Sequence, residues 1–355
     1  MEARARMRTP RWQTLAPALA TLLALLGSIG AGAPARHPAP GRVERLDPRL
    51  DALIAPDAVL ERVVDGQDWT EGPLWDARDG SLLFSDVPRN AIFRWKEGVG
   101  LRTELRASGY SGRARFAGRE PGSNGLAFDR EGRLLLCQHG DRAIARGESD
   151  GGLTPLVQRY EGRRLNSPND LVLRRNGELW FTDPPFGLPQ GFDDPDKELP
   201  FQGVFRLTPD GELFLATRAL EAPNGIGFSP DERTLYVSNA LASRPVWLAF
   251  ELRADGSLGR AVEFAEARAW VGDGEGVPDG LEVDREGNVF AAGPGGVHVF
   301  APDGTRLGRI ETGVPTGNVA FGGPERSVLY VAADHSIVRI QTLTRGQAVG
   351  ALAPR

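Results

Sequence analysis

Residues 124–136 read Asn-Gly-Leu-Ala-Phe-Asp-Arg-Glu-Gly-Arg-Leu-Leu-Leu: a polar lead, a short apolar run, a charged turn ending in glycine, and a second apolar run. The pattern recurs five times. Its other copies are Glu71-Gly-Pro-Leu-Trp75 with Ser81-Leu-Leu-Phe84, Asn169-Asp-Leu-Val-Leu173 with Glu178-Leu-Trp-Phe181, and Asn224-Gly-Ile-Gly-Phe228 with Thr234-Leu-Tyr-Val237. Asp279-Gly-Leu-Glu-Val283 with Asn288-Val-Phe-Ala291, and Asn318-Val-Ala-Phe321 with Val328-Leu-Tyr-Val331, complete the set. The leads at 71, 124, 169, 224, 279 and 318 lie 39 to 55 residues apart, about 49 on average. Short strands repeating at this period are the signature of a β-propeller, one four-stranded blade per unit. Beyond residue 65 no 3.6-residue apolar period is sustained, so helices are expected to be short. The sequence therefore predicts an all-β, six-bladed β-propeller over 58–342. A sandwich has no reason to repeat one leading polar residue six times. The last unit has room for three strands, and the run Val59-Leu-Glu-Arg-Val-Val64 is placed to supply the fourth. Ring closure by N- and C-terminal strands would remove open sheet edges.

Composition agrees with a turn-rich globular chain. Of 355 residues, 45 are glycine and 27 proline, about a fifth of the chain against roughly 12% in average usage. A net charge of −5 offers no basic footprint, which disfavours nucleic acid and anionic lipid as partners. Cys137, the single cysteine, excludes an intramolecular disulfide and multi-cysteine metal centres, so any metal must sit on oxygen or histidine. No heptads or apolar stripe imply an oligomer.

The N-terminal 35 residues carry Arg4, Arg6, Arg8 and Arg11, an apolar stretch from Leu15 to Leu26, and small residues Ala31, Gly32 and Ala33. This order reads as a secretory signal peptide, with export to the periplasm or the exterior expected and a retained membrane anchor as the alternative. Residues 36–57 read as a linker and N-terminal extension, and 343–355 as a C-terminal tail.

In each repeat the hairpin turn is already provided downstream, at Arg130-Glu-Gly132, Arg175-Asn-Gly177 or Arg285-Glu-Gly287. The leading residue is therefore not needed for that turn. Rotation about the propeller axis brings the six leads to one channel mouth, where they read Glu, Asn, Asn, Asn, Asp, Asn. A ring of oxygen donors suits a hard cation, calcium first and magnesium or manganese next. Two carboxylates, Glu71 and Asp279, would neutralise its charge. The alternative is that these residues only terminate strands and form Asx turns.

Five strings occur in order: Glu71-Gly-Pro-Leu-Trp75, Asn166-Ser-Pro-Asn-Asp-Leu171, Phe181-Thr-Asp-Pro-Pro-Phe-Gly187, Pro223-Asn-Gly-Ile-Gly-Phe228 and Pro278-Asp-Gly-Leu-Glu-Val283. Together they resemble the senescence marker protein/gluconolactonase/luciferin-regenerating enzyme family, over roughly residues 58–342 and closest to its bacterial gluconolactonase-like members. The resemblance implies a six-bladed propeller with one catalytic divalent cation, usually calcium, with magnesium, manganese or zinc possible. It implies hydrolysis of sugar lactones or related esters and phosphotriesters. Its metal ligands correspond to Glu71, Asn169, Asn224 and Asp279, the last also catalytic. Asn124, His139 and Asn166 are the expected substrate contacts. Some animal members have an arginine where this chain has Ser167, so their sugar preference does not transfer.

These residues suggest a carbonyl polarised by the cation and attacked by water, with Asp279 as general base, or as nucleophile toward a phosphotriester. Phosphotriesterase or aryl-esterase action on the same site, favoured by an apolar pocket around Phe186, Phe192 and Trp270, is one alternative. A non-catalytic ligand-binding propeller is the other. His298 is expected to face a neighbouring blade, and His335 to be solvated in a turn. Gly147-Glu-Ser-Asp-Gly151 matches a serine nucleophile elbow formally, but it lacks the flanking strand and helix and reads as a hairpin turn. The acidic insert Phe192–Glu198 is expected to be a loop over one face.

Overall fold

The computed structural model describes residues 39–272 and 274–347. The expected signal peptide, residues 1–35, lies outside the described residues. Six sheets carry the repeats, and the first strand of each contains the lead residue or begins two residues after it. Blade one comprises Thr70–Asp76, Ser81–Asp86, Ala91–Lys96 and Gly100–Arg106. Burial falls from inside to outside: the second strand is wholly buried and the fourth almost wholly exposed. Each first strand touches the first strand of the next blade, and that of blade six, Thr316–Gly322, returns to Thr70–Asp76. The ring is closed.

Leu60–Val64 pairs antiparallel with Ser336–Gln341 and completes blade six, as expected. Six apolar clusters fill the gaps between neighbouring blades. Leu83 and Ile92 of blade one meet Leu136 of blade two, Trp180 of blade three meets Phe228 of blade four, and Phe290 of blade five meets Phe321 of blade six. The alternation that writes a strand also writes these interfaces, because each face of an inner sheet is covered by the next blade. Cys137 sits in one such cluster, where burial pushes its thiol up and leaves it a small hydrophobe.

Residues 36–57 are expected as a linker and N-terminal extension, and the described part of that stretch, from residue 39, packs onto the propeller. Arg42–Arg45 adds a fifth strand to blade five, pairing with Arg306–Glu311, and a short 3-10 turn follows at Pro48–Ala52. The segment reads as linker because it is held mostly by backbone bonds and ion pairs: Arg42 meets Glu311 at 2.7 Å and Arg306 meets Glu44 at 3.2 Å. Its apolar anchor is Leu50, fully buried between blades five and six. Leu50→Ala is expected to cost about 2–5 kcal/mol, read as a lower urea midpoint. The described part of the tail is fastened as well: Gly346 N donates to Arg326 O at 2.8 Å and Gln347 Nε2 to Phe228 O at 2.8 Å.

Candidate active site

Glu71, Asn124, Asn224 and Asn318 lie within the first strands of blades one, two, four and six. In all four the pairing register slips beside the lead residue, between Glu71 and Leu74, Ser123 and Leu126, Pro223 and Ile226, and Thr316 and Asn318. Such bulges turn a side chain out of the regular pleat, and here they re-aim the leads. Gly72 has φ +49°, and a Cβ there would collide with the Asn124 carbonyl, which explains glycine after the lead. Asn169 and Asp279 each lie two residues ahead of the short strands Leu171–Leu173 and Leu281–Val283.

Neighbouring leads are locked together by backbone. Gly125 N donates to Asn169 O at 2.8 Å, Thr182 Oγ1 to Asn224 O at 2.7 Å, and Gly280 N to Gly317 O at 2.8 Å. A Cβ on Gly225 would strike the Asp279 carbonyl, and one on Gly317 would sit 2.5 Å from Glu71 Oε1. The six leads therefore converge on one channel end.

Their charges oppose one another. Burial pushes the Glu71 carboxyl up to about 8, with the Asp170 charge and then Glu120 adding to it. Two donors work the other way: Trp69 Nε1 at 3.3 Å from Oε1 and Gly72 N at 3.2 Å from Oε2. Burial, then Glu71 and Asp170, holds the Asp279 carboxyl well above its usual range, although Gly280 N donates to its Oδ1 at 3.0 Å. Asp170 itself is raised by burial to about 7 and takes a 3.4 Å bond from Asn318 Nδ2. Like charges sharing a dry site disfavour each other's ionisation.

Asp170 is the candidate-site carboxylate that sequence reasoning missed. The available signal was that blade three alone carries Asp where four other units carry Gly after the lead. With Glu282, also raised by burial to about 7, it lines a cavity of about 90 Å³ that Gln347 also borders.

Among the described residues, no group of three or more His, Cys, Asp or Glu side chains is arranged to hold a metal. Two carboxylates with amides form a different kind of set. Its fit to a hard cation rests on two observations: carboxyls at one mouth held up by burial and neighbouring like charge, and an Asn124 Oδ1 that is buried without a hydrogen-bond partner.

The other expected contacts divide. Asn166 is fully buried and its Nδ2 donates to Asp183 O at 2.9 Å and Phe201 O at 3.0 Å, so it pins the loop after blade three's second strand, while its Oδ1 is buried without a hydrogen-bond partner. His139 is fully buried beside Glu120. His298 stacks on Trp270 at 4.7 Å and faces Trp247 of blade four, and burial lowers it to about 3. Trp270 is committed to that stack, with Arg306 4.2 Å above it, whereas Phe186 and Phe192 pair with each other at 6.4 Å. His335 is a half-exposed turn residue 3.0 Å from Asp334. Gly147–Gly151 is a hairpin turn, with Gly151 N donating to Glu148 O at 3.0 Å. The acidic insert is held down by Arg142 Nη1, which donates to Asp196 O at 2.8 Å, and by Lys197 on the Leu199 carbonyl.

A closed six-bladed ring with carboxylates and amides gathered at one channel mouth defines a six-bladed β-propeller. Residues 69–335 match the SMP-30/Gluconolactonase/LRE-like region, and the chain belongs to that family. It is 38% identical to a gluconolactonase of Zymomonas mobilis over 315 residues, covering 86% of this chain and 87% of the relative. A solved gluconolactonase from Xanthomonas campestris superposes with a TM-score of 0.76 at 35% identity, over 88% of this chain and 98% of that one. A calcium-binding regucalcin structure from Agrobacterium tumefaciens, 20% identical with a TM-score of 0.63, covers 81% and 95% and shares the fold.

Proposed function

We propose that this chain is a gluconolactonase-like lactone hydrolase, and that Glu71, Asn169, Asn224 and Asp279 hold a divalent cation, calcium first. The observation that carries the reading is the mouth itself: the Glu71 and Asp279 carboxyls, with Asp170 raising both and Glu71 raising Asp279, brought together by interlocked blade ends. The family membership, the relative called a gluconolactonase at 38% identity and the relative called a regucalcin at 23% support it. A bound divalent ion would supply Lewis-acid polarisation of the lactone carbonyl.

The rest falls to the chain's own residues. Asp279 is less buried than Glu71, and we assign it as the carboxylate that meets a water at the mouth. Once ionised, it takes the proton of that water as the new C–O bond forms. Its backbone is fixed, with Asp279 N donating to Ala292 O at 2.9 Å and Gly280 N donating to its carboxylate, so its position is set before substrate arrives. We read residues 1–35 as an export signal, which would place the enzyme in the periplasm or outside the cell.

The test is a pH-stat assay of chelator-stripped protein on aldonolactones, unsubstituted γ- and δ-lactones and a phosphotriester, with single metals added back. Acid release from aldonolactones, lost on stripping and restored by calcium, is expected. Turnover confined to the phosphotriester would move the function to the alternative class, and no turnover of any substrate would leave a binding propeller.

A further inference from the structure

A groove of about 750 Å³ lies between blades five and six, at the end of the propeller where the inner strands begin. Clefts of roughly 300–1,000 Å³ hold small molecules, so it is ligand-sized. Glu275, Pro315 and Asp334 frame its inner end, and Arg42, Glu44 and Glu311, from the outer strands of blade five, frame its outer end.

Three links place the inner end beside the channel mouth. Asp334 O accepts Thr70 N at 2.8 Å and Thr70 Oγ1 at 3.0 Å, and Thr70 immediately precedes Glu71. Pro315 leads into Thr316–Gly322, the strand of Asn318, whose Gly317 lies against the Glu71 carboxylate. Glu275 stands four residues before Asp279 on the connection from blade four to blade five. Mouth and groove therefore share walls.

Those walls are shaped to leave the space open. Gly295 N donates to Glu275 O at 3.1 Å, and a Cβ on Gly274 would lie 2.6 Å from Gly295 Cα, so backbone packs directly on backbone there. On the blade-six side Gly313 has φ +76° and open space where its Cβ would stand. Its turn is held from within: the buried Thr312 Oγ1 donates to Val314 O at 2.7 Å and lies 2.9 Å from Thr316 Oγ1. A wall ordered in advance loses little entropy when a ligand binds.

Charge is distributed unevenly along the groove. At the outer end Arg42 meets Glu311 at 2.7 Å, and Arg309 meets Glu311 at 2.9 Å and Glu44 at 3.3 Å. At the inner end the exposed Glu275 carboxylate takes no hydrogen bond or ion pair among the described residues, and the Asp334 carboxylate meets His335 at 3.0 Å. Acceptors beside the mouth, with the cations neutralised farther out, favour a group rich in hydroxyl donors over an anion. Resting on the lactonase reading above, we propose that this groove receives a sugar joined to the lactone ring, with Glu275 accepting its hydroxyl hydrogen bonds, so that glycosylated aldonolactones are the preferred substrates. Binding energy gathered away from the reacting carbonyl then favours the larger substrate.

The experiment compares cellobiono-δ-lactone with glucono-δ-lactone in calcium-loaded wild type, Glu275→Ala and Gly313→Asn. Asparagine tolerates the left-handed backbone and fills the groove. Wild type is expected to favour the disaccharide lactone in kcat/KM, mainly through a lower KM. Glu275→Ala should lower that preference about tenfold, the effect of losing one hydrogen bond to a charged group, and leave glucono-δ-lactone turnover unchanged. Gly313→Asn should shift the ratio in the same direction. Glu275→Ala removes an exposed side chain, so it keeps the test open should Gly313→Asn fail to fold. No preference for the disaccharide lactone in wild type, or a ratio unchanged in Glu275→Ala, would overturn the proposal while leaving the lactonase reading intact. Wild type inactive on both lactones would overturn both.

Discussion

Asp279→Asn is expected to lower kcat for lactone hydrolysis by about 10²–10⁴-fold, the usual contribution of a positioned general base. Asparagine keeps the size of the side chain and an oxygen for Gly280 N, which now donates to Oδ1 at 3.0 Å. What it loses is the anionic, basic oxygen that takes the proton from water. Since Asp279 lies under opposing charge from Glu71 and Asp170, removing its carboxylate should not weaken the metal-free fold. Progress curves with saturating calcium, together with a melting curve in chelator, check both halves. Turnover within a few-fold of wild type, with calcium still bound, would remove Asp279 from the role of base.

The second large effect is on stability in chelator. Glu71 titrates near 8 in the folded chain against an ordinary value of 4.5, and Asp170 near 7 against 3.8. A carboxyl whose folded value is raised binds its proton more tightly in the native state. Its contribution is fully present below the ordinary value and is lost as pH rises through the folded one. Metal-free protein should therefore lose stability steadily between about pH 4 and pH 8. At about 1.4 kcal/mol for each tenfold gain in proton affinity, Glu71 alone accounts for a loss on the order of 5 kcal/mol. For a domain of this size that corresponds to a fall in Tm of roughly 10 °C. Calcium should flatten the profile, because a cation replaces the protons that hold the carboxyls together, and its stabilisation should be larger at pH 8 than at pH 5. Scanning calorimetry at both pH values, with chelator and with calcium, reads this directly. Equal slopes in the two conditions would mean that the mouth carboxylates do not hold the ion.

Much of the fold is legible because a propeller repeats itself in the chain. Each unit carries the same polar lead, the same alternating run and the same turn, and the β-rich run 59–64 stands alone with no partner nearby. Closure of blade six by Leu60–Val64 follows from that surplus and deficit. The strand Arg42–Arg45 is not legible, because a polar strand on an outer edge needs no apolar alternation; backbone bonds to Arg306–Glu311 and ion pairs hold it.

The site divides along the same line. Residue types at equivalent repeat positions already name an oxygen-rich mouth, since rotational symmetry turns equal spacing into spatial convergence. Asp170 and the groove between blades five and six have no such periodicity. They arise from contacts between different blades: Asp170 reaching Asn318 of blade six, and the Asp334 turn of blade six fastened to Thr70 of blade one. Periodic order is a property of the chain and can be read along it. Burial, opposed charge and an acceptor left without a donor exist only once the ring has closed.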